Sequence, residues 1–179
     1  MPAPGLQAVL LPVFAKYLQV LSQRADDPTT MIWGWQGKAR RMVAPVRLLK
    51  KQKYVPFLFR SMESAGQVTH VAITGVILYK DTPNYNSSAD WLRDHRIEKF
   101  AGTRGGDQAT TFYVVAAGYT LPTPLPFETL TLASEGRALA PGMVRGYARV
   151  VLPDSLLPWY QRATAIWDGL DLPPALRAA

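Results

Sequence analysis

The sequence predicts an α+β fold in which a small, curved, mostly antiparallel β-sheet or open β-barrel is flanked by helices. The chain has 179 residues, 48% of them hydrophobic and 11% aromatic, which is enough to bury one core of ordinary size. The predicted order of helix, strands, short helix, strands and helix lacks the alternation of a doubly wound parallel sheet. We therefore expect one domain over residues 1–179, with its sheet core at about 31–152.

Two terminal helices are expected to pack on this core, at residues 10–22 and 155–170. Apolar residues recur at three- and four-residue spacing in both segments, as one buried helix face requires. These residues are Leu10, Val13, Phe14, Tyr17, Val20 and Leu21 in the first helix, and Leu156, Tyr160, Ala163, Ile166, Trp167 and Leu170 in the second. Pro158 is tolerated in a first helical turn, and Pro173 and Pro174 are expected to end the ordered chain.

Five extended segments are predicted between these helices, at residues 31–35, 54–60, 68–79, 110–119 and 143–152. Gly75 marks a bulge or a close approach in the third segment. Three prolines at alternate positions make residues 121–127 extended but unsuited to the inside of a sheet. Ser87 or Ser88 can cap a short helix that reaches about Lys99.

Composition limits the classes of function. The chain has no cysteine, which removes disulfides, thiol nucleophiles and cysteine metal sites, and is compatible with a reducing, cytoplasmic location. The apolar stretch 8–20 contains Pro12 and Lys16 and is too short to span a bilayer, so we expect no membrane segment or signal peptide. The net charge of +7 favours polyanionic partners.

A basic region at residues 38–60 is the strongest electrostatic feature, because no acidic residue interrupts it. Its cations are Lys38, Arg40, Arg41, Arg47, Lys50, Lys51, Lys53 and Arg60. Aromatic residues accompany them, namely Trp33, Trp35, Tyr54, Phe57 and Phe59. Lysine and arginine bind phosphates while bases stack on aromatic rings, so this composition indicates nucleic-acid binding. A solvated basic face beside core aromatics is the alternative.

The tripeptide Trp33-Gly34-Trp35 is expected to place both indoles on one face of a strand, since side chains alternate. Gly34 between them lets a backbone or ligand approach closely. Two indoles can form a slot for a flat ring. They can equally fill a core.

Other polar groups give weaker signals for chemistry. His70 and His95 have no spacing that would let them share a metal. Asp90, Asp94 and Glu98 recur at four-residue intervals and could gather a divalent ion, but interleaved cations favour a solvated, salt-bridged face.

The loop at residues 102–107 brings one cation, Arg104, that could contact phosphate, yet it matches neither a P-loop nor a dinucleotide fingerprint. No nucleophile elbow or paired-histidine zinc motif is present. We expect no catalysis, cofactor or metal.

A succession of motifs resembles the EVE-like branch of the PUA-like superfamily over residues 31–152. It begins with the Trp-Gly-Trp strand and the basic region at residues 38–60. The strand Val68-Thr69-His70-Val71-Ala72-Ile73-Thr74-Gly75-Val76 follows, and then Phe112-Tyr113-Val114-Val115 leads into the proline-spaced segment 121–127. The chain departs from the pattern at Lys51 to Tyr54, where relatives commonly carry a Gly-Asp turn.

This resemblance implies a small β-barrel with surrounding helices that binds RNA or DNA. In several members of the branch an aromatic pocket holds a modified base, and Trp33 and Trp35 are the positions here that could supply one. We therefore expect a nucleic-acid-binding domain, and the resemblance further implies that an aromatic pocket reads a modified base. Two alternatives stay open: a non-catalytic interaction subunit that docks a protein partner through its terminal helices, and a metal-dependent nuclease or hydrolase using Asp90, Asp94, Glu98 or His95.

Overall fold

Seven strands form one open, mixed sheet in the part of the chain that the computed structural model describes. The described residues are 5–28, 30–35, 43–64, 66–79, 111–140, 142, 146–172 and 174–177. The strands are Gln7–Val13 (β1), Thr30–Trp35 (β2), Val55–Ser61 (β3), Gln67–Tyr79 (β4), Thr111–Pro126 (β5), Thr131–Leu132 (β6) and Ala148–Val151 (β7). Their order is β2-β5-β4-β3-β1-β7-β6. Strands β1 and β3 run parallel, whereas the other neighbouring pairs are antiparallel.

Helices cover both faces of this sheet, which confirms the predicted fold class. They are Ala15–Leu18 (α1), Val43–Leu49 (α2), Leu157–Asp168 (α3) and Pro174–Arg177 (α4). Single 3₁₀ turns at Phe127–Thr129 and Asp154–Leu156 connect the later elements.

The buried apolar residues divide into two clusters, one on each face of the sheet. The α3-side core contains Trp159, Ala163 and Trp167 of α3. The α2-side core contains Leu18 of α1 and Leu48 of α2. Consecutive residues of β1 alternate between these clusters, as side chains of a strand must.

The predicted N-terminal helix at residues 10–22 is wrong, because β1 occupies its first part and only Ala15–Leu18 is helical. Strand β1 is paired on both edges, with β3 and with β7. A strand buried on both faces carries a continuous apolar run, and such a run contains helical spacings by chance. The interior position of β1 therefore overrides the apparent helical period.

The proline-spaced segment is extended, as predicted, and it forms the second half of β5. Its pairing partner is β4, with Val68 opposite Leu125, whereas the pairing of β5 with β2 ends at Ala116. The amide of Phe127 donates to the Gly66 carbonyl at 2.9 Å. Amide directions alternate along a strand, so the backbone nitrogens of Pro122, Pro124 and Pro126 face away from β4. The N–H groups that these prolines lack are therefore not needed for pairing with β4.

The C-terminal helix is confirmed as α3, with Pro158 in its first turn. The expectation that Pro173 and Pro174 end the ordered chain is wrong, because α4 follows and Leu176 is buried in the α3-side core. The last predicted strand, 143–152, is shorter as β7, and β6 was not predicted. The predicted short helix after Ser87 and the loop 102–107 lie outside the described residues.

Gly75 in β4 is a site of close approach, as its place in the sequence predicts. A Cβ atom added at this residue would lie 2.8–2.9 Å from the indole of Trp167. The register of β4 against β5 shifts between Ile73 and Val76, which is the irregularity of a bulge. The missing side chain of Gly75 thus lets α3 pack its last buried tryptophan directly on the sheet.

We predict that Gly75→Ala destabilises the protein by about 1–3 kcal/mol, because the added methyl overpacks the Trp167 contact. Gly146→Ala is the matched control, since a Cβ there meets nothing within 4 Å, and should change stability by less than about 0.5 kcal/mol. Urea denaturation of both variants measures the difference. Equal stabilities would show that Trp167 does not depend on the gap at Gly75.

Candidate nucleic-acid interface

Residues 47–53 comprise the last turn of α2 and most of the chain that leads from it to β3. They are called the basic connector from here on. Arg47 lies in α2, and Lys50 and Lys51 lie in the turn after it, and all three side chains are exposed. The amides of Lys51 and Gln52 both donate to the Leu48 carbonyl at 2.8 Å, which closes the helix tightly. Within the described part of the chain, no carboxylate forms an ion pair with Arg47, Lys50 or Lys51.

Gln52 fastens the basic connector to the sheet. Its side-chain amide donates to the carbonyls of Gln7, at 2.8 Å, and of Tyr54, at 2.9 Å. The Gln7 residue belongs to β1, so one side chain joins the connector to the interior of the sheet. The flanking lysines are consequently presented from a fixed backbone, which lowers the entropy lost when they bind a ligand.

Lys53, the last residue of the basic connector, is paired within the protein. Its Nζ lies 2.8 Å from Asp168 Oδ1 at the end of α3 and 5.1 Å from the centre of the Tyr54 ring. The side chains of Lys53 and Asp168 are 71% and 54% exposed, so water screens the pair and it adds little stability. The contact holds the ammonium group of Lys53 beside the carboxylate of Asp168.

Tyr54 is buried, with 5% of its surface exposed, and is directed towards α3. Its hydroxyl donates to Asp168 Oδ1, and its ring lies 6.0 Å from that of Trp167 at an angle of 59°. Burial raises the pKa of Tyr54, and the hydrogen bond to Asp168 raises it further. Tyr54 is therefore protonated at neutral pH and acts as a donor.

Asp168 accepts from both neighbours, and the hydrogen bonds from Lys53 and then Tyr54 lower the pKa of its carboxyl group. The same bond to Asp168 is the main cause that raises the pKa of Lys53. Both groups are thus charged at neutral pH.

A cavity of about 460 Å³ opens beside this polar cluster, between β3, β4 and the C-terminal helices. It is lined by Lys53, Tyr54, Gly75, Val76, Trp167, Asp168, Leu170, Leu172 and Leu176. Its walls combine two aromatic rings with aliphatic side chains, and its polar groups are one cation, one carboxylate and one hydroxyl. A size of roughly 300–1,000 Å³ is typical of small-ligand sites, and polar and apolar groups share the wall of this cavity about equally.

The predicted site residues fall into three groups. The structure brings Lys53 and Tyr54 into the cavity wall, directly after exposed Lys50 and Lys51. Trp33 and Trp35 lie in β2, as predicted, with their Cα atoms paired with those of Tyr113 and Thr111. The remaining predicted residues, Lys38, Arg40, Arg41 and Arg104, lie outside the described residues.

Sequence reasoning missed Asp168 and assigned Trp167 only to a helix face. One local signal was present. Asp168 is the last residue of α3, where the helix dipole disfavours a carboxylate, so an acidic residue there indicates a cationic partner. The identity of that partner, Lys53, depends on the tertiary fold.

His70 lies half-buried in β4, and burial lowers the pKa of its imidazole. Its Nδ1 is 2.8 Å from the Thr69 hydroxyl. The other candidates for acid–base or metal chemistry, Asp90, Asp94, His95 and Glu98, are not among the described residues. Within the described ranges no three acidic or histidine side chains are grouped to hold a metal.

The described helices are all too short or too polar to cross a membrane.

No protein-family model matches the chain, and no curated protein matches its sequence. Among solved structures, the chain is similar to the N-terminal domain of McrB from Staphylothermus marinus, with 9% identity and a TM-score of 0.37. The match covers 88% of this chain and 93% of that one. At this identity and TM-score the likeness assigns neither family nor function.

The coupling between Lys53 and Asp168 should depend on pH at both ends of the range. The pKa of Asp168 is lower in the folded protein than in the unfolded chain. Its contribution to the coupling is therefore complete above the unfolded pKa, about 3.9, and is lost as the pH falls through the folded pKa. The raised pKa of Lys53 makes its contribution complete below about 10.4 and lost as pH rises through the folded value. The coupling should therefore be constant between about pH 5 and 9.

A double-mutant cycle with Lys53→Gln and Asp168→Asn, followed by urea denaturation at several pH values, measures this coupling. Tyr54 is present in all four proteins, so its bond to residue 168 cancels to first order. A coupling that stays unchanged as the solution is acidified through the folded pKa of Asp168 would contradict an ionic contact.

Proposed function

We propose that this chain is a nucleic-acid-binding domain in which the basic connector contacts phosphates and the adjacent cavity receives a base. One observation carries the proposal. Lys53 ends the basic connector and Tyr54 lies between it and β3, and both residues also line the cavity. Phosphate contacts and a base site therefore occur together on one continuous stretch of backbone.

The proposed phosphate contacts are supported by three exposed cations and by the charge of the whole chain. Arg47, Lys50 and Lys51 have no carboxylate partner among the described residues, and the chain carries a net charge of +7. Neutralising phosphates with such groups releases counterions from the nucleic acid, which drives binding at low salt. Backbone contacts of this kind position a nucleic acid without reading its sequence.

The cavity supplies the chemistry that a base requires. Tyr54 and Trp167 line the cavity although both are largely buried, and stacking on an aromatic ring contributes roughly 1–3 kcal/mol per base where the base reaches the ring. Asp168 can accept a hydrogen bond from a ring or amino N–H, and Lys53 can donate to a carbonyl, so the rim matches the edge of a base. Leu170, Leu172 and Leu176 add apolar surface that suits a methyl group, which supports a reader of a modified base.

We propose that this binding involves no catalysis by the chain itself. Its sequence carries no nucleophile elbow, P-loop or paired-histidine motif. The alternative is an interaction subunit that docks a partner through two terminal helices. The N-terminal docking helix is missing from this hypothesis, because residues 7–13 form a strand. Helix α3 would be left as its main docking element.

We predict that Lys50→Gln and Lys51→Gln each weaken binding to all sequences about equally. Each lost phosphate contact should reduce the slope of log affinity against log salt by about 0.7–0.9. Fluorescence anisotropy with short DNA and RNA oligonucleotides at several salt concentrations gives this slope. Arg162→Gln, which removes an exposed cation from α3, is the matched control and should leave both affinity and slope unchanged. Absence of binding by the wild-type protein at low salt would overturn the proposed function.

We also predict that Leu170→Trp lowers oligonucleotide affinity by about tenfold while preserving the salt slope, because a half-exposed residue of the wall then fills the cavity. The size of the effect corresponds to the loss of one stacked base. Leu157→Trp, at a half-buried apolar position where α3 begins, is the control. Oligonucleotides with and without a methylated base, compared on the same proteins, test whether the cavity reads the modification.

Trp33→Ala and Trp35→Ala distinguish this cavity from the slot that the sequence predicts in β2. Loss of affinity in these variants, with an unchanged slope and melting temperature and with normal binding by Leu170→Trp, would place the base at the tryptophans and contradict the cavity. A sharp fall in melting temperature would instead show that the tryptophans are core, since such truncations cost about 3–5 kcal/mol.

A further inference from the structure

An exposed aromatic ring stands at the turn between β1 and α1, away from the cavity. Phe14 is 47% exposed, and Met62, which follows β3, is 50% exposed. The two residues come directly after the last parallel pair, Val13 with Ser61, and the Met62 amide donates to the Val13 carbonyl at 2.9 Å. Two large apolar side chains are therefore exposed at the same end of the parallel pair.

The carboxylate of Glu63 stabilises the turn between β1 and α1. Its Oε2 accepts from the Ala15 amide at 2.9 Å and from the Ser61 hydroxyl at 2.7 Å. These two hydrogen bonds are the main causes that lower the pKa of Glu63, so the carboxylate is charged and its bonds persist at neutral pH. The Phe14 ring is consequently presented from a braced backbone, and ordering it on binding costs little.

A cation accompanies the ring. Lys16 is exposed, and its Nζ lies 4.9 Å from the centre of the Tyr17 ring and 6.0 Å from that of Phe14. The two rings meet edge to face at 6.2 Å. Lys16 forms no ion pair with any carboxylate of the described residues. An exposed ring beside a cation is the combination that stacks a base and binds its phosphate.

This cluster belongs to the same face of the sheet as α2. Leu18 of α1 and Leu48 of α2 are both members of the α2-side core. Phe14 and Lys16 lie beyond the carboxyl ends of β1 and β3, whereas the basic connector lies at the amino end of β1. Lys16 and the net charge of +7 favour a polyanion over an apolar protein surface.

We propose that Phe14, with Lys16, is a stacking platform for an unpaired nucleotide, so that the domain prefers single-stranded segments to an intact duplex. A duplex keeps its bases paired and stacked on each other, and only an unpaired base can stack on a surface ring. The inference rests on the proposed function, which it deepens by naming the class of nucleic acid.

The test compares Phe14→Ala, Phe14→Leu and Phe14→Trp in anisotropy titrations with short oligothymidylate and with the same strand annealed to its complement. The alanine and leucine variants should lose about 5- to 150-fold in affinity for the single strand, the range that one lost stacking contact gives. The tryptophan variant should retain the affinity, and duplex binding should be equal in all four proteins. Because Phe14 is half exposed, melting temperatures should stay close to the wild-type value.

Three outcomes would overturn the platform, and they separate it from the proposed function. If Phe14→Ala binds oligothymidylate normally while Lys50→Gln binds it weakly, the platform is wrong and the proposed function stands. If wild-type protein binds neither probe at low salt, the proposed function fails and the platform with it. If Phe14→Ala binds normally but sediments as a monomer where the wild type sediments as a dimer, the exposed ring is a contact between two copies of the chain.

Discussion

The parallel pair of β1 and β3 is the constraint on which the rest of the molecule depends. Val9 and Leu10 of β1, and Phe57 and Leu58 of β3, are all fully buried. A sheet that is apolar on both faces must be covered on both, here by α3 on one face and by α1 and α2 on the other. Arg47, Lys50 and Lys51 lie outside this covered sheet, on the exposed surface of α2 and the turn after it.

The candidate site follows from the way α3 docks on the sheet. Gly75 leaves room for Trp167, and the next residue, Asp168, is then placed beside Lys53 and Tyr54 at the start of β3. Packing therefore joins a helix end to a connector that is more than one hundred residues distant in sequence. The same contact gives the cavity its aromatic wall and gives its rim one charge of each sign.

Sequence reasoning succeeded where one element carries its own signal. Strand β4 is rich in β-branched residues, and α3 has a helical period with proline in its first turn, so both were predicted close to their true bounds. It failed at β1, where burial on both faces removes the alternation that marks a strand. The basic residues were visible in the composition, but the partnership of Lys53, Tyr54 and Asp168 was not, because it exists only in the folded chain.

Amide hydrogen exchange can show which residues nucleic acid protects, and the basic connector is where we expect that protection. The wild-type protein should be compared with and without a short single-stranded oligonucleotide, at low salt and again at high salt. The account predicts slower exchange at residues 47–54 with the oligonucleotide at low salt, and loss of that protection at high salt, since phosphate contacts are screened. Binding with protection elsewhere and none at residues 47–54 would contradict the account.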